Sequence, residues 1–152
     1  MPEPILKIMR VPHEGVELPL PRRATPGSAG LDLCAAVAQP VTMEPGAFAR
    51  IPTGFAIYLP SENYAGYVFA RSGLAVRHGI TLPNGVGLID SDYTGELQVA
   101  LCNLSKEPYT IQPGERIAQL VVAPVCLPRL VEVDILPSTG RGGGGFGSTG
   151  RL

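Results

Sequence analysis

Apolar and polar residues alternate in short runs along most of the chain, the period-two signature of β-strands with one buried face. Over 29–36 the alternation sets Leu31, Leu33 and Ala35 on one face and Asp32, Cys34 and Ala36 on the other. Over 96–103 it sets Leu97, Val99 and Leu101 against Gln98, Ala100 and Cys102. Further strand-like runs occupy 5–11, 48–51, 55–59, 64–70, 86–89, 116–122 and 130–135, bounded by Gly and Pro. Two turns echo each other, Thr42-Met43-Glu44-Pro45-Gly46 and Thr110-Ile111-Gln112-Pro113-Gly114, each with the Pro-Gly centre of a type II turn. One helix is predicted, short, with Ser72 as N-cap and Gly79 just past its end. The pattern predicts an all-β domain, a jelly-roll-like distorted β-barrel or sandwich with one short helix.

Composition supports that reading: 19 glycines and 16 prolines among 152 residues leave little room for helices. The length suits one domain with a substantial core. No apolar run approaches a membrane span, and 1–11 has neither a basic region feeding an apolar core nor an Arg/Ser-rich transit pattern, so a soluble, cytoplasmic protein is expected. A net charge of −1 argues against a nucleic-acid surface, which needs clustered Lys and Arg. Cys34, Cys102 and Cys126 are widely spaced in apolar surroundings, fit no metal or disulfide pattern, and are expected as reduced core thiols.

Five stretches carry candidate chemistry. Asn84 to Gly95, NGVGLIDSDYTG, is either an ordinary polar hairpin tip or a loop whose Gly85, Gly87 and Gly95 let a planar or sugar-like ligand approach the backbone beside Asp90 and Tyr93. Arg71, Ser72 and Gly73 open the helix, either as a plain capped end or as an anion site. Asp32, inside a strand, is either at a wet edge or has a partner, and Gln119, amid apolar residues, needs partners for its amide and has a donor to lend a ligand. From 137 onward the composition changes, and RGGGGFGSTG is either a linker or a closing lid in which Arg141 takes phosphate and Phe146 a base.

Five segments, AGLDL at 29–33, RSGLA at 71–75, NGVGLIDSDYTG at 84–95, ERIAQL at 115–120 and RGGGGFGSTG at 141–150, resemble in order the five motifs of the trimeric deoxyuridine triphosphatase (dUTPase) family. The resemblance implies a dUTPase-like β-clip domain over 1–136 and a flexible arm over 137–152. It implies a homotrimer whose sites are shared between subunits and which cleaves dUTP to dUMP and pyrophosphate by water attack on the α-phosphate. That activity limits uracil in DNA and supplies dUMP for dTMP synthesis. Asp90 resembles the acid that orients or deprotonates the water, a role that in general contributes about 10²- to 10⁴-fold. Asn84, Gly85, Val86 and Leu88 would hold uracil, Tyr93 the deoxyribose, and Phe146 would stack on the base. Arg71, Ser72, Gly73, Gln119, Arg141, Gly147, Ser148 and Thr149 would hold phosphates. Mg2+ would ride on the triphosphate without direct side-chain ligands, Asp32 reaching it through water.

Two rivals share the fold. A dCTP deaminase would carry a glutamate in the strand after the hairpin, where this chain has Ala100. A non-catalytic nucleotide-binding module would have no need of Asp90, Tyr93 and the complete tail.

Overall fold

A computed structural model of the chain describes residues 4–145. Ten strands and one helix follow in the order β1 (Lys7–Arg10), β2 (Leu31–Cys34), β3 (Val41–Met43), β4 (Phe48–Tyr58), β5 (Tyr64–Ala70), α1 (Ser72–His78), β6 (Ile80–Thr81), β7 (Gly87–Ile89), β8 (Glu96–Asn103), β9 (Tyr109–Ile111) and β10 (Arg116–Pro124). They form two four-stranded sheets, β1-β4-β8-β6 and β2-β10-β5-β7, and the ribbon β3-β9, every pairing antiparallel. No ladder joins one sheet to another among the described residues, so the jelly-roll-like β-clip is open and not a closed barrel. Its layers are held by one core, to which all three sheets and the helix contribute Leu33, Met43, Ile51, Val68, Leu74, Ile80, Val99, Leu101, Ile111 and Leu120. Of the inward sets expected from alternation, Leu33, Ala35, Leu97, Val99 and Leu101 are in that core and Leu31 is half-buried against it, while Ala36 and Cys102, expected on the opposite faces, are buried as well.

Both Pro-Gly turns form. Ala47 N–H donates to Glu44 O at 2.9 Å and Glu115 N–H to Gln112 O at 3.1 Å, with Gly46 and Gly114 at φ 79° and 73°, where an L-residue would be strained. The runs 48–51 and 55–59 are one strand, β4, kinked at its centre. The register against β8 slips between Pro52 and Ala56, and Gly54 sits at φ 74°. The kink is held by buried Thr53, whose hydroxyl donates to Leu97 O at 2.7 Å, and by Glu96, whose carboxylate accepts Gly54 N–H at 2.8 Å.

Three expectations are corrected. Residues 130–135 are not a strand: Leu130 and Ile135 are 90% and 85% exposed, and no strand pairs with the segment among the described residues, so its strand-like composition finds no ladder partner. Cys126, in the same stretch, is an exposed thiol and not a core residue, whereas Cys102 is buried and Cys34 half-buried. Ser72 is the first helical residue and not the N-cap. Arg71 holds that position in an extended conformation with no side-chain cap, so the amides of the first turn have no side-chain partner. Gly79 does end α1, at φ 68°, and a Cβ there would lie 2.7 Å from Ser105 N.

Candidate active site

The hairpin stretch is built on β7. Gly87, Leu88 and Ile89 pair with Val68, Tyr67 and Gly66 of β5, and Gly87 is small because a Cβ would press against Val68 at 3.1 Å. Ahead of β7 the backbone turns at Gly85 (φ 74°), leaving Asn84, Gly85 and Val86 exposed. After it, Asp90 begins a turn in which its carbonyl accepts Tyr93 N–H at 3.2 Å. Its carboxylate is exposed, on a 260 Å³ cavity lined by Arg50, Leu88, Ile89, Tyr93 and Gln98. Tyr93 is fixed twice over. Its hydroxyl donates to Glu96 O at 2.9 Å, and the ring lies on Gly95, where a Cβ would stand 2.7 Å from the phenol oxygen and 2.8 Å from Cζ. One aromatic face and one free carboxylate therefore share a cavity on a rigid turn.

A second group gathers at the other end of the same sheet. Gln119 on β10 pairs with Asp32 on β2 and with Phe69 on β5, and Arg71 follows directly after β5. Half-buried Asp32 resolves its alternatives by having partners: Arg116 Nη1 at 3.2 Å and Arg71 Nε at 3.6 Å. Arg71 also donates to Arg116 O at 3.1 Å. Gln119 Nε2 donates to Ala70 O at 3.1 Å, and its carbonyl end lies against Gly30, where a Cβ would be 2.6 Å from Oε1. Arg116 was not singled out in the sequence; its place in ERIAQL three residues before Gln119 was the available signal. The Cys34 thiol beside them is held above its ordinary pKa by burial and then by the Asp32 charge, with the arginines opposing.

The strand from β10 onward is aimed by a clasp. Tyr109 donates to Glu115, whose other oxygen accepts Gln112 N–H at 2.8 Å. Burial, then that hydrogen bond, then the glutamate charge push the Tyr109 phenol up to about 12. The ring of His78, an exposed residue at the end of α1, tilts against Tyr109 at 4.9 Å.

The two groups do not meet within one chain. Ile89 pairs with Gly66, so Asp90 falls level with Ala65 near the start of β5, whereas Arg71, Ser72 and Gly73 follow its end. Six residues of strand separate the levels, about 20 Å at ~3.3 Å per residue. Asp32 and Gln119 lie at the Arg71 end. Arg141 is in the tail, its guanidinium turned back onto Gly144 O at 2.7 Å, in a stretch whose turns, among the described residues, bond only to one another. Phe146, Gly147, Ser148 and Thr149 lie outside the described residues. Ala100, the position decisive for the deaminase rival, sits on β8 opposite Arg50 and carries no group that can move a proton.

An aromatic platform with a free carboxylate at one end of an open β-clip, and cations gathered at the other, defines a class of protein that takes a ligand with a flat part and a highly anionic part. A dUTPase family model matches residues 16–150. The deoxyuridine 5'-triphosphate nucleotidohydrolase of Desulfitobacterium hafniense is 54% identical over 131 residues, 86% of this chain and 87% of that protein. That of Alcanivorax borkumensis is 51% identical over 137 residues, 90% and 91% of the two chains. Among solved structures, a point mutant of the Staphylococcus bacteriophage 80alpha dUTPase with dUpNHpp superposes with a TM-score of 0.84 at 27% identity, covering 97% of this chain and 99% of that one. A mutant dUTPase from phage phi11 of S. aureus, described with a structural Mg(II) ion, gives 0.76 at 26% identity, covering 88% and 99%. The chain belongs to the dUTPase family, and its activity is the hydrolysis of dUTP.

Proposed function

We propose that dUTP is cleaved to dUMP and pyrophosphate at sites assembled between copies of the chain in a homotrimer, Asp90 coming from one copy and the Arg71 cluster from another. The observation that carries this reading is the separation of about 20 Å between those groups along β5, too far for one copy to touch both base and phosphates. The exposed apolar run Leu127, Leu130, Val131, Val133 and Ile135 supports association, since a lone chain leaves it in water.

Within such a site the exposed backbone of Asn84, Gly85, Val86 and Leu88 presents N–H and C=O groups to uracil. A cytosine edge, with donor and acceptor exchanged, leaves those groups unpaired. Tyr93 lies under the deoxyribose, where its fixed ring excludes a 2′-hydroxyl by bulk. The Asp90 carboxylate accepts a hydrogen bond from the attacking water and takes or directs its proton. Arg71, Ser72, Gly73 and Gln119 hold the phosphate oxygens, Ser72 and Gly73 through the uncapped amides of α1 and Arg71 through its guanidinium. The arm over 137–152 closes over the ligand, with Arg141, Gly147, Ser148 and Thr149 on the phosphate end and Phe146 on the base.

Mg2+ fits this chain as a passenger of the substrate. Asp32 already shares its carboxylate between Arg71 and Arg116, and no group of three metal-ligating side chains occurs among the described residues, so Asp32 meets the ion through water. When bound, the ion neutralises phosphate charge. A cytoplasmic location belongs to the same reading: the substrate is a nucleotide, and the cysteines at 34, 102 and 126 are free thiols.

The test is complementation. Asp90→Asn and Arg71→Ala chains are each expected to be nearly inactive alone. Refolded together, they place a native Asp90 beside a native Arg71 at about one quarter of the sites if one neighbour supplies each group. A mixture as inactive as its parents refutes shared sites.

A further inference from the structure

A cavity separate from the uracil hairpin opens between the segment 19–24 and the β2–β10 edge. It has a volume of 510 Å³, within the ~300–1,000 Å³ of small-ligand clefts, and Arg22, Arg23, Arg116, Asp32 and Cys34 stand on its wall. Three guanidinium groups thus face one carboxylate, and that carboxylate is already held by Arg116 and Arg71. Arg22 and Arg23 are exposed, and neither has a carboxylate within ion-pair distance among the described residues.

The segment that carries them is pinned in place. Asp32 N–H donates to Arg22 O at 2.9 Å, Arg10 donates to Leu18 O at 2.6 Å, and Ser28 N–H closes a turn on Thr25 O at 3.0 Å. Pro19 and Pro21 restrict the backbone between these ties. The remaining wall is apolar, formed by Leu20, Phe55 and the two prolines, with no side-chain amide or hydroxyl to read a base edge. Charge is the handle this cavity offers, and paired guanidiniums match the oxygens of a phosphoryl chain.

We propose that this cavity is a second anion site, holding inorganic pyrophosphate between Arg22, Arg23 and Arg116. The ligand follows from chemistry already on this molecule: hydrolysis of dUTP releases pyrophosphate, and Arg116 and Asp32 belong both to the cavity and to the cluster around Arg71. The site therefore adjoins the phosphate end of the reaction without overlapping the base pocket, and takes product as it leaves.

The experiment titrates the full chain with sodium pyrophosphate by calorimetry at low salt, first saturating the catalytic sites with a non-hydrolysable α,β-imido analogue of dUTP. Pyrophosphate is expected to bind the saturated enzyme, and an Arg22→Gln/Arg23→Gln variant to bind it at least roughly tenfold more weakly, about 1.4 kcal/mol. A Lys106→Gln/Arg129→Gln variant, with the same charge loss away from the cavity, is expected to stay within about twofold. The site is refuted if the analogue abolishes binding, if the first variant binds like wild type, or if both variants lose affinity equally. Inorganic phosphate binding as tightly as pyrophosphate refutes the ligand assignment. Both exchanges are at exposed positions, and circular dichroism checks the fold. The inference rests on dUTP hydrolysis: turnover fails if that reading is wrong, whereas loss of the anion site shows only in the titration.

Discussion

Gly95→Ala isolates the Tyr93 platform from every other feature of the hairpin. Gly95 has no left-handed φ, so alanine costs nothing in backbone strain; the conflict is purely steric. The new Cβ would stand 2.7, 2.8 and 3.1 Å from Oη, Cζ and Cε2 of Tyr93, and a rigid ring must move by more than about 0.5 Å to restore ordinary contact near 3.4 Å. That displacement breaks the 2.9 Å bond from the tyrosine hydroxyl to Glu96 O, a net loss of about 0.5–1.5 kcal/mol, and tilts the face offered to the sugar. Folding stability is expected to fall by that modest amount. Lost sugar positioning lowers kcat/KM for dUTP by about 10- to 100-fold, or 1.4–2.8 kcal/mol, while UTP, excluded by the intact ring, loses less. The assay is kcat/KM for both nucleotides, with thermal melting alongside. Gly85→Ala is the matched contrast, a residue at φ 74° with open space around it, where strain of about 1–2 kcal/mol appears without a clash. If Gly95→Ala leaves the dUTP to UTP ratio unchanged, Tyr93 is not the platform.

Other consequences are as direct. Asn103 is fully buried and makes four side-chain bonds, donating to Met43 O and Glu107 O and accepting from Ser105 N–H and Oγ. Asn103→Ala strands the backbone partners and is expected to cost about 3–5 kcal/mol, lowering Tm by roughly 10 °C, measured by calorimetry; a shift below about 3 °C refutes the accounting. Tyr109 has its folded pKa raised to about 12 above the ordinary 10, so its contribution to stability is complete below pH 10 and fades as the pH rises toward 12. Denaturant melts across that window should lose a component that Tyr109→Phe lacks, and identical slopes sink the assignment. Asp90→Asn keeps its size and should bind dUTP while turnover falls by about 10²-fold or more; wild-type rates remove Asp90 from the chemistry. Ending the chain at Gly140 should leave melting unchanged and sharply reduce turnover, and undiminished turnover removes the lid.

What the sequence determined by itself was local. Alternation assigned the inward faces of β2 and β8, and Pro-Gly pairs marked two turns, because side-chain period and backbone restriction act over a few residues. The Gly-rich hairpin with its aspartate and tyrosine was legible for the same reason. Tertiary structure decided what depends on partners far along the chain. Residues 130–135 have strand composition and no strand, since a ladder also needs a partner strand brought alongside, which composition does not specify. The partners of Asp32 come from Arg71 and Arg116, and the cavity under Arg22 and Arg23 exists only where 19–24 folds against β2 and β10. Asp90 and Arg71, 19 positions apart in the sequence, stand at opposite ends of β5 because β7 pairs with it antiparallel, and only that register shows how far apart they lie.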